Sequence, residues 1–287
     1  MPTYRERVAD DIYAFTSGLY AQVTAGVIVT TAGCVIVDTL PFPRETRELR
    51  GFAERLRPGG IPYVLITHYH ADHVNGLYLF PEARAICHRR CRDLLLKVGQ
   101  SGLEEAKRQT PELAEVTLAI PEITFDDGFT IHLGDKTITA IYAPGHSADL
   151  VMVYVKEPKV LFASDVLMPV PYVVGGDAVA LVESLRMIRE MSLESIVQGH
   201  GEVLLRGEIN EAIDSNIAYL EAIQKVVREH IQAGRPRQAL ARIDIESCGK
   251  SRIPLGGLVQ SLHRANLFYL YDRYRSEMAR QARDAAA

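Results

Sequence analysis

Three imidazoles and one carboxylate crowd into the six positions His68-Tyr69-His70-Ala71-Asp72-His73, directly after the apolar run Tyr63-Val64-Leu65-Ile66. The chain of 287 residues has nine histidines, so a third of them lie in this one stretch. Neutral imidazole is the commonest protein ligand for zinc and related ions, and a neighbouring carboxylate adds a hard anionic ligand. His68 and His70, separated by one residue, project to the same side of an extended segment. Asp72 and His73 follow where the chain begins to coil and face a second point in space. One loop at the end of one buried strand thus has ligands for two neighbouring metal ions, and the fold must bring any others to it.

The chain around this loop reads as alternating strands and helices. Residues 27–31 and 34–38 are β-branched runs joined by Ala32-Gly33, which predicts a hairpin. Pro43 opens a helix with Leu49, Phe52 and Leu56 at helical spacing, and Pro58-Gly59-Gly60 ends it. A short helix at 75–80 and a strand at 83–87 follow the His-rich loop. Residues 88–121 predict an irregular, mostly helical excursion, which reads equally as a surface insertion and as a lid over that loop. Within this region Cys87-His88-Arg89-Arg90-Cys91 reads as buried thiols, because the second half of a zinc-ribbon pattern is missing.

Strands at 129–133, with His132 on the polar phase, and at 136–143 meet across Gly134-Asp135. Strands at 150–155 and 159–163 come next, then the loop 168–176 with Tyr172. Asp177 caps a helix carrying Val182, Leu185 and Ile188, and 195–198 reads as the last short strand. The strand, strand, helix order recurs in the two halves of residues 11–205, which predicts an α/β sandwich instead of a doubly wound parallel sheet. From about Gly207 only helices are expected, so the chain divides at 1–206 and 207–287. Ile213, Ile217, Leu220, Ile223, Val227 and Ile231 mark one long amphipathic helix, stopped by Gly234 and Pro236. Leu255, Leu258, Leu262 and Leu267 begin another, whose Tyr269, Tyr271 and Tyr274 read as packing, with a homodimer contact as the alternative. The terminal Ala-Arg-Asp-Ala-Ala-Ala reads as a frayed end.

Four points in this map share one property. Asp165 and His200 close their apolar strands, and His68 and His146 follow theirs within three residues. Ligand sites gather in the crevice beyond one edge of a sheet. A glycine precedes His146 and His200, as expected where the backbone must turn sharply to aim a side chain. Any one of these histidines alone reads as a core residue; with the His-rich loop they predict a shared metal site.

Asp38 at the end of an early strand, Thr67-His68-Tyr69-His70-Ala71-Asp72-His73, Pro144-Gly145-His146-Ser147, Ser164-Asp165 and Gly199-His200-Gly201 occur in this order. In these elements the sequence closely resembles the metallo-β-lactamase-fold superfamily of metal-dependent hydrolases. The resemblance implies a four-layer αββα sandwich with a dinuclear site at one edge and a helical C-terminal extension. It implies His68, His70 and His146 as ligands of the first metal, Asp72, His73 and His200 as ligands of the second, and Asp165 as a bridge. Asp38 matches an acid that supports the loop from beneath without ligating. The implied cofactors are two divalent ions, zinc by ligand type, with iron or manganese as alternatives. The implied nucleophile is a metal-bridging hydroxide, with Asp72 both ligating and accepting its hydrogen bond. Tyr172 is a candidate substrate contact, weighed equally against a role as an apolar anchor of its loop.

An all-His/Asp ligand set looks more like glyoxalase II-type thioesterases, lactonases, arylsulfatases and phosphodiesterases than like relatives with a cysteine at the bridging position. Met168 stands where the lactonase pattern often has a tyrosine, and no glutathione-contacting motif is recognisable near the C-terminus. The expectation is a hydrolase of an ester, thioester, lactone or lactam bond, with weak β-lactam hydrolysis as a side activity. The alternatives are a mononuclear iron persulfide dioxygenase and a phosphodiesterase of the same fold. A formal net charge of -4 gives no reason to expect nucleic acid or an anionic membrane as partner, so the substrate is a small molecule. No apolar run approaches the ~20 residues of a membrane helix. Residues 1–11 lack the apolar core of a signal peptide, and Cys34, Cys87, Cys91 and Cys248 are scattered. A reducing cytoplasm is the expected location.

Overall fold

Strands buried on both faces read as continuous β-branched runs, and such runs recur through the first two thirds of this chain. The computed structural model describes residues 3–56 and 59–284. The first half runs β1 (Tyr4–Ala9), β2 (Ile12–Thr16), β3 (Thr24–Thr30), β4 (Gly33–Val37), α1 (Pro43–Leu56), β5 (Tyr63–Ile66), α2 (Ala71–Val74), β6 (Arg84–His88), α3 (Arg89–Leu94), α4 (Gln100–Gln109) and β7 (Ile123–Phe125). A π-helical turn, Leu95–Gly99, joins α3 to α4. The second half runs β8 (Gly128–Leu133), β9 (Lys136–Tyr142), β10 (Val151–Val155), β11 (Val160–Ser164), α5 (Ala178–Arg189), β12 (Ser195–Gln198), β13 (Val203–Leu205), α6 (Ile209–Gln232) and α7 (Val259–Asp284).

Among the described residues, β1 to β7 form one sheet in sequence order, antiparallel up to β4 and parallel beyond it. The second sheet is ordered β13-β12-β11-β10-β9-β8, with β11 and β12 parallel and the other pairs antiparallel. Ile28, Val35, Leu65 and Ile86 of the first sheet meet Ile138, Val153, Phe162 and Val197 of the second in one apolar layer. On its other face the first sheet packs Ile36, Val64 and Cys87 against Leu49 and Ala53 of α1. The second sheet likewise covers α5, α6 and α7, whose Leu185, Ile223 and Leu267 share one cluster with Met152 and Leu161. The architecture is the expected αββα sandwich, with the C-terminal helices inside the same core as α5.

Main-chain bonds join the two sheets at one edge. Thr24 N–H donates to Gly199 O at 2.9 Å, and Val151 N–H donates to Thr67 O at 3.0 Å. This edge carries the C-terminal ends of β5, β9, β11 and β12, so the loops that follow them open together.

Several local expectations are corrected. β1, β7 and β13 escape the hydrophobic pattern: β1 is an exposed, charged edge strand, and the other two have three residues each. Residues 195–198 are therefore not the last strand. The turn between β3 and β4 is Thr31-Ala32, with Gly33 opening β4 at φ 131°. The 75–80 helix is a 3-10 turn, Asn75–Leu79, behind α2. Leu255 sits in a left-handed turn with Gly256 and Gly257, and the helix starts at Val259. α7 continues to Asp284; Pro58 and residues 285–287 lie outside the described residues. Elsewhere Asp177 caps α5, accepting from Val179 N–H and Ala180 N–H, His132 is exposed, and the four cysteines are buried and free of disulfides. No helix among the described residues is long and apolar enough to cross a membrane.

Gly26 of β3 faces the Phe162 ring of β11, and a Cβ at position 26 would overlap that ring. Gly26→Ala is expected to lower stability by about 1–3 kcal/mol through overpacking, and adding Phe162→Leu should recover part of the loss. Urea unfolding of the three proteins measures this; a Gly26→Ala variant as stable as wild type would mean that the ring moves aside freely.

Candidate metal centre

Each polar side chain at this edge is delivered by the end of a strand. β5 releases the chain into His68 and His70 in extended conformation, and α2 then turns Asp72 and His73 inward. β9 leads to His146, β11 to Asp165 and β12 to His200. Gly145 has φ 148°, and a Cβ there would strike the backbone of Leu181, so the expected sharp turn is present. Gly199 has another reason: a side chain at 199 would occupy the place of the Asp165 carboxylate. Ser164, just before Asp165, takes the left-handed conformation at φ 47°, as does Asp38 at φ 57°. Such backbone strain is held only where the surroundings over-determine it.

The seven side chains fall into two groups able to hold a cation: His68, His70, His146 and Asp165, and Asp72, His73 and His200. In the first, His70 Nδ1 lies 3.0 Å from His68 Nε2 and 2.8 Å from His146 Nε2. In the second, His200 Nε2 lies 3.4 Å and His73 Nε2 3.8 Å from Asp72 Oδ2. Asp165 stands between the groups, with Oδ2 3.2 Å from His146 Nε2 and 3.6 Å from His200 Nε2, and Oδ1 3.3 Å from His73 Nε2. His73 Nε2 and Asp165 Oδ1 are both buried and lack a hydrogen-bond partner. Buried polar atoms are normally paired. Orphaned lone pairs converging within ligand distance of one another are what a metal ion would satisfy, so the donor set fits one.

The far nitrogen of each ring decides which nitrogen faces the centre. His73 Nδ1–H donates to Asp38 Oδ2 at 2.8 Å, His146 Nδ1–H to Tyr172 O at 2.8 Å and His200 Nδ1–H to Ala21 O at 2.9 Å. His68 Nδ1 lies 3.1 Å from Thr67 Oγ1, which itself donates to Asp38 Oδ2. Asp38 also accepts from Thr67 N–H at 2.8 Å, so it grips both ends of the loop. Bonds of this kind fix imidazole tautomer and orientation.

Burial opposes charge on His68, His70, Asp72, His73, Asp165 and His200. It dominates for His68, held well below the ordinary imidazole range, and for His70, pushed down to about 3. In the second group burial is outweighed. Asp72, Asp165 and Asp38 hold His73 well above its ordinary value, and Asp165 and Asp72 push His200 up to about 10. The imidazoles in turn outweigh burial and hold Asp72 and Asp165 below theirs. The carboxylates demand positive charge, and without a cation the imidazoles supply it as protons.

A cavity of about 340 Å³ opens onto the centre and is lined by His70, Asp72, His146, Asp165, His200 and Tyr172. Met168, which stands at the lactonase tyrosine position, lines it too, and sequence reasoning missed Tyr20, Leu255, Leu258 and Leu262 as walls. The leucines were legible only as a helical stripe. Tyr20 comes from a turn between β2 and β3 that α1 anchors, since Glu45 accepts from Ser17 Oγ and Gly18 N–H. The Asp72 charge and burial push the Tyr20 phenol up to about 12, so it keeps its proton. The Tyr172 loop is clamped by α7: Asn266 Nδ2 donates to Pro171 O at 2.7 Å, and Val173 N–H donates to Asn266 Oδ1 at 2.9 Å. Asn266 thus holds the peptide groups on both sides of the residue whose carbonyl orients His146.

The sequence model of the metallo-beta-lactamase superfamily matches residues 20–202. Among curated proteins, the chain is 28% identical over 172 residues to the Beta-lactamase-like protein 2 homolog of Caenorhabditis elegans, covering 59% of this chain and 53% of that protein. It is 29% identical over 152 residues to the human Acyl-coenzyme A thioesterase MBLAC2, covering 47% and 54%. It is 23% identical over 204 residues to the Atrochrysone carboxyl ACP thioesterase of Aspergillus fumigatus, covering 68% and 57%. The chain spans about half the length of these curated relatives. Among solved structures, a metallo-beta-lactamase from Pontibacter korlensis superposes with a TM-score of 0.62 at 16% identity, covering 74% of this chain and 97% of that one. The DIM-1 metallo-beta-lactamase gives 0.59 at 19% identity, covering 75% and 96%.

Asn266→Ala removes both bonds to the Tyr172 loop and is expected to cost about 2–4 kcal/mol of stability and roughly tenfold in zinc affinity. Unfolding and competition with a chromogenic chelator read the two effects; unchanged affinity in a destabilised variant would disconnect the loop from His146. At pH 7 a metal-free His200, with its pKa raised to about 10, carries a proton that a ligating nitrogen must lose. Zinc added to chelator-treated protein in a pH-stat is therefore expected to release protons, and affinity to rise with pH across the neutral range. Binding without proton release would contradict this charge balance.

Proposed function

The chain belongs to the metallo-beta-lactamase superfamily, and on that footing we propose that it is a dinuclear metal-dependent hydrolase of an ester, thioester, lactone or lactam bond in a small molecule. The observation that carries this reading is the convergence of seven imidazole and carboxylate groups at one sheet edge, with His73 Nε2 and Asp165 Oδ1 buried and unpaired.

His68, His70 and His146 would hold one cation, Asp72, His73 and His200 the second, and Asp165 both. With cations bound, the site would supply a water of near-neutral pKa and Lewis-acid polarisation of a substrate carbonyl. The protein supplies the rest. Asp72 lines the cavity and accepts a hydrogen bond from the attacking water, which aligns it with the carbonyl. Tyr20 retains its phenolic proton beside Asp72 and donates a hydrogen bond to bound substrate. Tyr172 and the leucines at 255, 258 and 262 exclude bulk water from the reacting bond. Asp38 keeps His73 aimed throughout. The names of the human and fungal relatives favour an ester or thioester over a lactam.

A panel of thioesters, esters, lactones, β-lactams and phosphodiesters on zinc-loaded protein tests this directly, together with metal analysis. About two zinc ions per chain and turnover of the carbonyl substrates are expected, with Asp165→Ala lowering kcat/KM at least ~100-fold. One iron per chain with oxygen consumption, or undiminished turnover by Asp165→Ala, would sink the proposal.

A further inference from the structure

The metal loop borders a second hollow, of about 290 Å³, that shares only His70 and Ala71 with the cavity over the metal centre. Its walls come from the 88–121 excursion and the loop itself: Leu95 and Val98 of the π-helical turn, Leu103 of α4, then Leu118 and Val74. No Asp, Glu, Lys or Arg is among its described lining residues. Val98 is 40% exposed and Leu96, on the same turn, 61% exposed. Large apolar side chains left in solvent beside a reactive centre mark a surface that something apolar covers, and π-helical turns inside helices concentrate at functional sites. Two glycines border the hollow, and the space at Gly102 is open. A Cβ at Gly99 would press on Leu118 at 3.0 Å, while one at Gly102 would meet nothing within 4 Å.

We propose that this groove binds the hydrocarbon part of an uncharged acyl substrate and so places its carbonyl at the His70–Ala71 edge of the metal centre. The chemistry at that edge rests on the hydrolase reading above; the binding does not. Shape and charge select the occupant. A carboxylate or phosphate would find no cationic side chain among the groove's lining residues, whereas each methylene leaving water for the groove strengthens binding roughly two- to fourfold. Continuity through His70 and Ala71 lets one molecule lie in the groove and present its carbonyl in the adjoining cavity.

The full chain, zinc-loaded, is assayed with p-nitrophenyl esters from acetate to decanoate, and octan-1-ol is titrated into it calorimetrically. kcat/KM is expected to climb with chain length, and octan-1-ol to bind. Gly102→Leu fills the groove from an exposed position in α4, where leucine is also the better helix former. It is expected to keep or raise the melting temperature, to cut the decanoate-to-acetate ratio of kcat/KM at least tenfold and to weaken octan-1-ol binding at least tenfold; Gly102→Ala should fall between. Octan-1-ol that does not bind, or binds Gly102→Leu equally well, overturns the proposal. Ester turnover with a flat chain-length profile removes the groove and leaves the hydrolase. Octan-1-ol binding blocked by Gly102→Leu, with no ester, thioester, lactone or lactam cleaved, leaves the groove and removes the hydrolase.

Discussion

Seven imidazole and carboxylate groups share one buried crevice, and their carboxylates are balanced only by protons on the imidazoles or by a cation. Carboxylates at 72 and 165 with imidazoles at 73 and 200 make a cluster that is stable only with added positive charge, and His68, His70 and His146 point lone pairs at a common place. Desolvation of such groups costs several kcal/mol each unless they are compensated. The edge-on joining of the two sheets, the left-handed backbone at Asp38 and Ser164, and the glycine at 199 all serve this one arrangement. The surrounding backbone thus sets the geometry of these groups beforehand.

The nitrogens facing away are as informative as those facing in. His73 rests on Asp38 of the β4 end, His146 on the Tyr172 carbonyl, and His200 on the Ala21 carbonyl. Two of these three supports belong to loops that also wall the cavity. Loops that wall the cavity and loops that orient these imidazoles are therefore the same segments. A substitution in that wall would disturb the orientation of His146 or His200 as well.

The C-terminal helices extend this coupling. Asn266 binds the backbone on both sides of Tyr172, Tyr269 donates to Gly176 O at 2.9 Å, and Arg273 pairs with Asp177 at the start of α5. α7 thus shapes the cavity twice, through Leu262 in its wall and through the loop it pins. The tyrosine stripe that reads as packing is that, with its hydroxyls committed to backbone and side-chain partners.

The sequence by itself was enough to pick out the side chains that the fold gathers at this sheet edge. His68, His70, Asp72, His73, His146, Asp165 and His200 were legible because ligand types are few and each follows an apolar strand whose end is readable from local pattern. The αββα order was legible for the same reason, since strands buried on both faces are continuous β-branched runs. Only the tertiary structure decided what surrounds the centre. Tyr20 looks like an ordinary turn residue, Leu255 reads as the start of a helical stripe, Asn266 is one polar residue on an amphipathic helix, and Gly102 is a glycine beside charges. Their roles depend on contacts between segments far apart in the chain, such as Asn266 with Pro171 and Glu45 with Gly18. Local periodicity carries no record of those contacts, because the free energy that selects them arises only when the layers pack.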